Sequence, residues 1–207
     1  MNTLNPTLFT NDKLIRAALR ERLERTYKDD KHVKIIDELG VMHGSARVDM
    51  AVVNGIIHGF ELKSDLDTLR RLPEQMEAYN SVFDQVTLVV GKNHVHEAIR
   101  AIPEWWGVMI AKASDSDNGI SFVMIREAID NPSRDSVSIA RLLWRQEALD
   151  ILEKNGHANG VRSKSRSLIY QKLANVLDMN TLSTEVRHCL FNRVDWRVEK
   201  QHMLCGD

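Results

Sequence analysis

The sequence predicts an α/β protein in which a mixed sheet is followed by an all-helical segment. Three observations carry this reading. A helical stripe precedes three short strand patterns, two later apolar runs are continuous enough for strands buried on both faces, and beyond residue 136 only helical spacing recurs. Thr10, Asn11 and Asp12 offer capping side chains, and Leu14, Ile15, Ala18, Leu19 and Leu23 follow at helical intervals, which predicts a first helix over about 11–26. "HVKIIDELG" reads as a strand ending at Gly40. "RVDMAVVNGIIHGFELKS" reads as two strands around Asn54-Gly55, a strong short-range hairpin signal. Leu69, Leu72, Met76, Tyr79 and Val82 repeat at helical spacing, with Pro73 suited to the first turn or to a kink. "QVTLVVG" is the next strand, a short helix covers about 93–101, "WGVMIA" is another buried strand and "GISFVMI" adds an edge strand.

"ASDSDNG" is a polar turn, and "IDNPSRDS" (129–136) reads as the seam between a core over 1–128 and a helical segment over 136–207. Three apolar stripes mark the helices of that segment: Leu142, Leu143, Ala148, Leu149 and Leu152; then Leu168, Ile169, Leu173, Val176 and Leu177; then Val186, Cys189, Leu190 and Val194. Between the first two stripes lies the loop "NGHANGVRSKSRS".

With 43% hydrophobic and 28% charged residues the 207-residue chain belongs with folded proteins, and its formal net charge of −1 excludes any argument from global basicity. A nucleic-acid partner would need a local basic patch. Cys189 and Cys205 lack metal-ligand spacing. The N-terminus has no basic start followed by an apolar stretch, and no window approaches a membrane span of about 18 apolar residues, so a cytoplasmic protein without a membrane partner is expected.

The charges of the hairpin need an explanation. Residues i and i+2 of a strand share a face, so Glu61 and Lys63 lie together while Phe60 and Leu62 point the other way. Asp49 interrupts the preceding apolar strand. Two carboxylates on adjacent strands, with a lysine beside the second, suit divalent-metal phosphodiester hydrolysis: Asp49 and Glu61 offer hard oxygen ligands, and the Leu62 carbonyl offers a third. Lys63 would hold the attacking water or the developing charge. The competing reading is a structural Asp49–Lys63 ion pair with Glu61 solvated. Glu38, Glu21 and Glu24 are further candidate ligands, each otherwise a solvated acid. Arg47 and Arg70 are candidate phosphate contacts, since guanidinium forks match phosphate oxygens. Arg162, Lys164 and Arg166, with Tyr170 and Lys172 following, form a basic loop suited to backbone phosphates or simply to solvent. Trp105-Trp106 suit core packing more than base stacking, and His43, His58, His94 and His96 carry no zinc pattern.

Register decides whether Asp49 and Glu61 can share a cation. A two-residue turn at Asn54-Gly55 would set Asp49 opposite Phe60, on the wrong face. The metal reading therefore demands an odd step. A three-residue loop of Val53, Asn54 and Gly55 is preferred, with a bulge at His58-Gly59 as the other solution.

Asp49 followed by Glu61-Leu62-Lys63, within helix–strand–strand–strand–helix–strand, resembles the PD-(D/E)XK nuclease superfamily. Gln75-x-x-x-Tyr79 is similar to the extra motif of its RecB-like exonuclease branch. More closely, "ELGVMHGSARVDMAVVNGIIHGFELKSDLDTLRRLPEQMEAYNSVFDQVTLVVG…IPEWWGV" resembles the sce7726 family of bacterial proteins, over roughly 35–112. Val48 stands before Asp49, so the proline of the superfamily motif is absent. The resemblance implies a restriction-endonuclease-like core (α-β-β-β-α-β, mixed sheet) and a nuclease dependent on Mg²⁺ or Mn²⁺, with DNA favoured over RNA. Asp49 and Glu61 would hold metal, and Gln75 and Tyr79 would fix Lys63 or the substrate strand. Two rival readings stand beside it: a non-cleaving module that binds nucleic acid or a partner, and a mobile-element or toxin-like nuclease activated by a partner. The C-terminal helices would serve as the docking face for a second copy or another protein.

Overall fold

The apolar runs build one six-stranded sheet in the computed structural model, which describes residues 9–114 and 119–193. Its strands are β1 (Lys34–Val41), β2 (Ala46–Asn54), β3 (Ile56–Lys63), β4 (Gln85–Gly91), β5 (Gly107–Ala113) and β6 (Ile120–Arg126), arranged in chain order. β1, β2 and β3 pair antiparallel, β3, β4 and β5 pair parallel, and β6 closes the edge antiparallel to β5. β4 is buried from Val86 to Gly91, as its unbroken apolar run requires between two parallel neighbours. β6 alternates half-buried and exposed residues, as an edge strand does.

Helices cover both faces. α1 (Asp12–Thr26), capped by Asn11, turns Ile15, Leu19 and Leu23 onto Met50, Val52, Phe60, Leu62, Val89 and Met109. Leu14, one position off that stripe, stays 39% exposed. The other face receives α2 (Leu72–Asn80), α3 (Val95–Ala101) and the C-terminal helices. α2 begins at Leu72 with Pro73 in its first turn; Leu69 falls in the preceding turn, where its carbonyl accepts from the Leu72 N–H at 2.9 Å. Trp105 and Trp106 are core residues, and the Trp106 indole donates to Asn80 Oδ1 at 2.9 Å, so neither ring is available to stack on a base.

The C-terminal helices are α4 (Ser136–Ala140), α5 (Arg145–Lys154), α6 (Arg166–Val176) and α7 (Met179–Asn192). Ile139, Leu143, Leu152, Ile169, Leu173, Val186 and Leu190 join the same buried cluster as Val41, Val48 and Val53 of the sheet. Lys34 of β1 donates to the Phe191 carbonyl at 2.8 Å, tying the end of α7 to the sheet edge. Leu168 is a correction to the second stripe: it stays 49% exposed because the buried face of α6 is set by Ile169 and Leu173. Val194, Cys205 and most of the "ASDSDNG" turn lie outside the described residues.

Candidate active site

The hairpin has the odd step. Asn54 pairs with Ile56, Val53 with Ile57 and Met50 with Phe60, and Gly55 stands alone at the tip with φ +66°. The register therefore sets Asp49 opposite Glu61. The loop that achieves it is Asn54-Gly55-Ile56, flanked by the Val53–Ile57 pair, and neither the Val53-Asn54-Gly55 loop nor a bulge at His58-Gly59 forms. An Asn-Gly pair places the left-handed residue but suits several loop lengths, which is why the direction of the step differs from expectation while its parity does not.

Beyond Met50–Phe60 the β2–β3 ladder stops and the two strands part. Asp49 bridges the gap: its Oδ2 accepts from the Leu62 N–H at 2.7 Å. Backbone N–H and C=O of one strand residue face the same neighbour, so the Leu62 carbonyl faces this gap too. On β1, Glu38 lies directly opposite Asp49, between the Asp37–Met50 and Leu39–Val48 pairs. Glu38 has φ +53°, a left-handed conformation that costs a non-glycine residue about 1–2 kcal/mol. Strain of this kind persists where surrounding structure enforces it, often at functional sites.

Glu61 is held at the bottom of the gap. Its Oε1 accepts from Lys63 Nζ at 2.5 Å and from Gln75 Nε2 at 2.6 Å, and its Oε2 lies 2.7 Å from the Tyr79 hydroxyl. The side chains of Glu61 and Lys63 are 2% and 11% exposed, against 19% for Asp49 and 46% for Glu38, so the acids step from floor to rim. Burial, then the nearby Asp49 carboxylate, pushes the Glu61 carboxyl up to about 7 against the opposing pull of Lys63 and Tyr79. The Tyr79 hydroxyl also lies 2.6 Å from the Arg47 carbonyl. That hydroxyl has a single proton, so it donates to one of these two oxygens at a time. Gln75 and Tyr79 thus hold Glu61 directly, where the expected target was Lys63 or the substrate strand, and Gln75 does not hold Lys63. Gln75 Oε1 is buried without a hydrogen-bond partner.

The competing reading's Asp49–Lys63 ion pair does not form, because Lys63 turns to Glu61. Asp49 pairs with Arg16 of α1, whose NH2 reaches Asp49 Oδ1 at 2.5 Å while NH1 reaches the Asp49 carbonyl at 2.9 Å and Glu38 Oε1 at 2.8 Å. Sequence reading missed Arg16 and named Glu21 and Glu24 instead. Glu24 is taken by Arg20 of its own helix at 3.1 Å, and Glu21 is exposed. Arg16 immediately follows Ile15 of the buried stripe, where a basic residue resembles any solvated one until the helix is laid on the sheet.

A second set of interactions fixes the exit of β3. Asp65 Oδ2 accepts from the Thr10 N–H and hydroxyl at 2.9 and 2.8 Å, and Oδ1 accepts from the Asn93 N–H at 3.0 Å. The loop passes so close to β4 that a Cβ on Gly91 would stand 2.6 Å from Asp65 N. Only glycine admits that approach.

Arg47 is exposed, 3.9 Å from Glu38 Oε2, and shares with Arg71, Ser45, Met42 and Gln75 the lining of a depression of about 260 Å³. Arg70 is exposed in the turn before α2. Arg162 and Lys164 on the α5–α6 connection and Arg166 at the start of α6 are exposed, with Arg162 bound to Glu153 at 2.9 Å. His58 stacks on Phe60 and meets Thr87 Oγ1 at 2.8 Å; burial lowers its pKa to about 4. Among the described residues no three His, Cys, Asp or Glu side chains are already gathered as a metal cage. No helix there is long and apolar enough to cross a membrane.

The family model of bacteriophage P4 protein cII matches residues 8–203. The chain belongs to the bacteriophage P4 protein cII family. One relative, protein cII of Enterobacteria phage P4, is 30% identical over 122 residues, which is 59% of this chain. The match spans 46% of that protein, about half its length. A solved structure, the SPO1766 protein of unknown function from Silicibacter pomeroyi, is similar over 78% of this chain and 99% of its own, at 19% identity and a TM-score of 0.41. The P4 protein cII family thus includes a phage protein, and the strand gap described above falls inside the matched residues.

Proposed function

We propose that this member of the P4 protein cII family is a divalent-metal-dependent nuclease with a PD-(D/E)XK-type active site. The observation that carries the proposal is the hairpin register: it sets Asp49 opposite Glu61, with Lys63 beside Glu61, where the ladder opens. The gap lies at the carboxyl end of β3, which is parallel to β4, and ligands of α/β sheets bind at such ends.

The donor set fits Mg²⁺ or Mn²⁺. An ionised carboxylate offers about four lone-pair sites. Three donors reach Glu61, which leaves one site, and Asp49 keeps sites beyond those facing Arg16 and Leu62. Asp49, Glu61 and the Leu62 carbonyl would hold the cation, with Glu38 as a further ligand from β1. Bound there, the cation supplies charge that polarises a phosphodiester and lowers the pKa of the attacking water. Glu61 must be ionised to serve. Gln75 and Tyr79 hold it in one orientation, and Lys63 is placed to stabilise the nucleophile or the developing negative charge. Arg47 and Arg71 on the adjoining depression, with Arg70 nearby, suit flanking phosphates, and Arg162, Lys164 and Arg166 suit a more distant stretch of backbone. DNA is the favoured substrate on resemblance alone.

The test is incubation with linear, circular and single-stranded DNA and with RNA, in Mg²⁺, Mn²⁺ or EDTA. At least one nucleic acid should be cut with metal and spared in EDTA. Lys63→Ala and Glu61→Ala should each lose about 10²–10³ in rate while remaining folded. Cleavage by both variants at the wild-type rate would remove this site from the chemistry. Binding without cleavage under every metal condition would favour the non-cleaving module.

A further inference from the structure

We infer that Arg16 is a built-in occupant of the cation position, and that a divalent ion loads only by displacing it. The inference rests on the metal-dependent reading above and goes on to say what controls access to the site. Three oxygens from two residues converge on one guanidinium: Asp49 Oδ1 at 2.5 Å, the Asp49 carbonyl at 2.9 Å and Glu38 Oε1 at 2.8 Å. Carboxylates and carbonyls are the donors a hard cation selects. Glu38 reaches this cluster from a left-handed backbone directly opposite Asp49, so the chain holds a strained residue where it completes the set.

Arg16 is not a loose surface side chain. Its neighbours Ile15 and Leu19 are fully buried against the sheet, which fixes α1 over the gap, and the Arg16 side chain is 26% exposed. Asp49 has lone pairs for both, but a divalent ion on the same carboxylate would stand within a few ångströms of a guanidinium already held at 2.5 Å, and like charges that close repel. Loading therefore drives the guanidinium off Asp49 Oδ1. A place to go exists one turn back on its own helix, where Asp12 Oδ2 already lies 3.5 Å from Arg16 Nε. In the metal-free chain Arg16 offsets the mutual repulsion of Asp49 and Glu38. The cost of displacing it lowers the apparent affinity for metal, as for any ligand whose binding-competent state is a minor one.

The test is Mn²⁺ binding to the full chain, followed by the electron paramagnetic resonance of free Mn²⁺ and by calorimetry. Arg16→Gln should bind Mn²⁺ at least about tenfold more tightly than wild type. Arg16→Lys, which keeps the charge without the fork, should fall between them. Arg20→Gln should match wild type, because Arg20 sits on the same helix but pairs with Asp37 and Glu24 instead. Arg16→Gln binding as weakly as wild type, or more weakly, would overturn the displacement idea while leaving the metal site standing. Asp49→Asn should abolish the site; if it binds like wild type, or if no protein binds Mn²⁺, the metal-dependent reading fails and this inference with it. A measurement on unaltered protein covers the case in which Arg16→Gln does not fold. Titration with Mg²⁺ should shift the Arg16 Nε–H resonance and spare that of Arg20, and an unmoved Arg16 signal at saturation would equally overturn the inference.

Discussion

Glu61 gathers the polar contacts of the floor, so its proton governs the behaviour of the metal-free site. With a carboxyl raised to about 7, its contribution to stability is fully present below the unfolded value of 4.5 and is lost as pH rises through about 7. His58 works the other way. Its imidazole is held down to about 4, so its contribution is present above 6.5 and is lost as pH falls towards 4. The two oppose each other across most of the same window, and a global melt would blur both. A residue-resolved titration does not: the Glu61 carboxyl carbon, followed by NMR, should titrate near pH 7 without metal and at lower pH with saturating Mg²⁺. An ordinary titration near 4.5 in metal-free protein would mean that the carboxyl is not buried as described. Tyr79→Phe removes a donor that favours ionised Glu61, so the same titration should move upward, with a loss of about 1–3 kcal/mol in stability by denaturant unfolding. A Tyr79→Phe protein whose Glu61 titrates unchanged would show that the 2.7 Å contact carries no weight.

At the scale of elements, the site depends on how the strands leave one another. α1, the strands and the buried character of β4 were legible in the sequence because each follows from apolar spacing. The parity of the hairpin was legible too, since a shared cation required Asp49 on the face of Glu61. The turn that delivers it was not, because Asn54-Gly55 fits more than one loop. Glu38 has no sequence signature for a left-handed backbone, and Arg16 became part of the site only through the placement of α1 over the sheet. That Gln75 and Tyr79 face one side of α2 was legible from their spacing, but their partner was not, since two side chains one helical turn apart do not reveal which acid they meet. Two glycines test the elements that frame the gap. A Cβ on Gly55 would meet nothing within 4 Å, so Gly55→Ala should cost only its left-handed strain, about 1 kcal/mol. Gly91→Ala drives a Cβ to 2.6 Å from Asp65 N and should cost about 3 kcal/mol. Denaturant midpoints in the opposite order would contradict the close β3–β4 approach.

For the whole molecule, the C-terminal helices and the sheet share one apolar cluster, with Ile139, Leu143 and Val186 buried beside Val41 and Val48. Within the seam predicted at 129–136, the Asn131 amide donates to the Asn80 and Phe83 carbonyls at 2.8 Å each. Unfolding of the full chain should therefore follow one cooperative transition by both fluorescence and circular dichroism. A fragment ending at residue 135 should not fold, because it exposes that face. Two separated transitions, or a stable fragment, would make the seam a true boundary. Replacing Arg162, Lys164 and Arg166 by alanine should make the salt dependence of nucleic-acid binding shallower by about 0.9 per lost duplex contact. An unchanged slope would return that loop to plain solvent-facing surface.

The central claim is that Asp49 and Glu61 hold one divalent cation at the opening between β2 and β3. It is tested most directly by anomalous scattering from crystals of the full chain grown with Mn²⁺. The account predicts a peak between the Asp49 and Glu61 carboxylates, with oxygen ligands close to the roughly 2.0–2.1 Å expected for Mg²⁺ and the Arg16 guanidinium moved off Asp49. Crystals equilibrated with Mn²⁺ in which Arg16 still occupies the acids and no peak lies between Asp49 and Glu61 would contradict it.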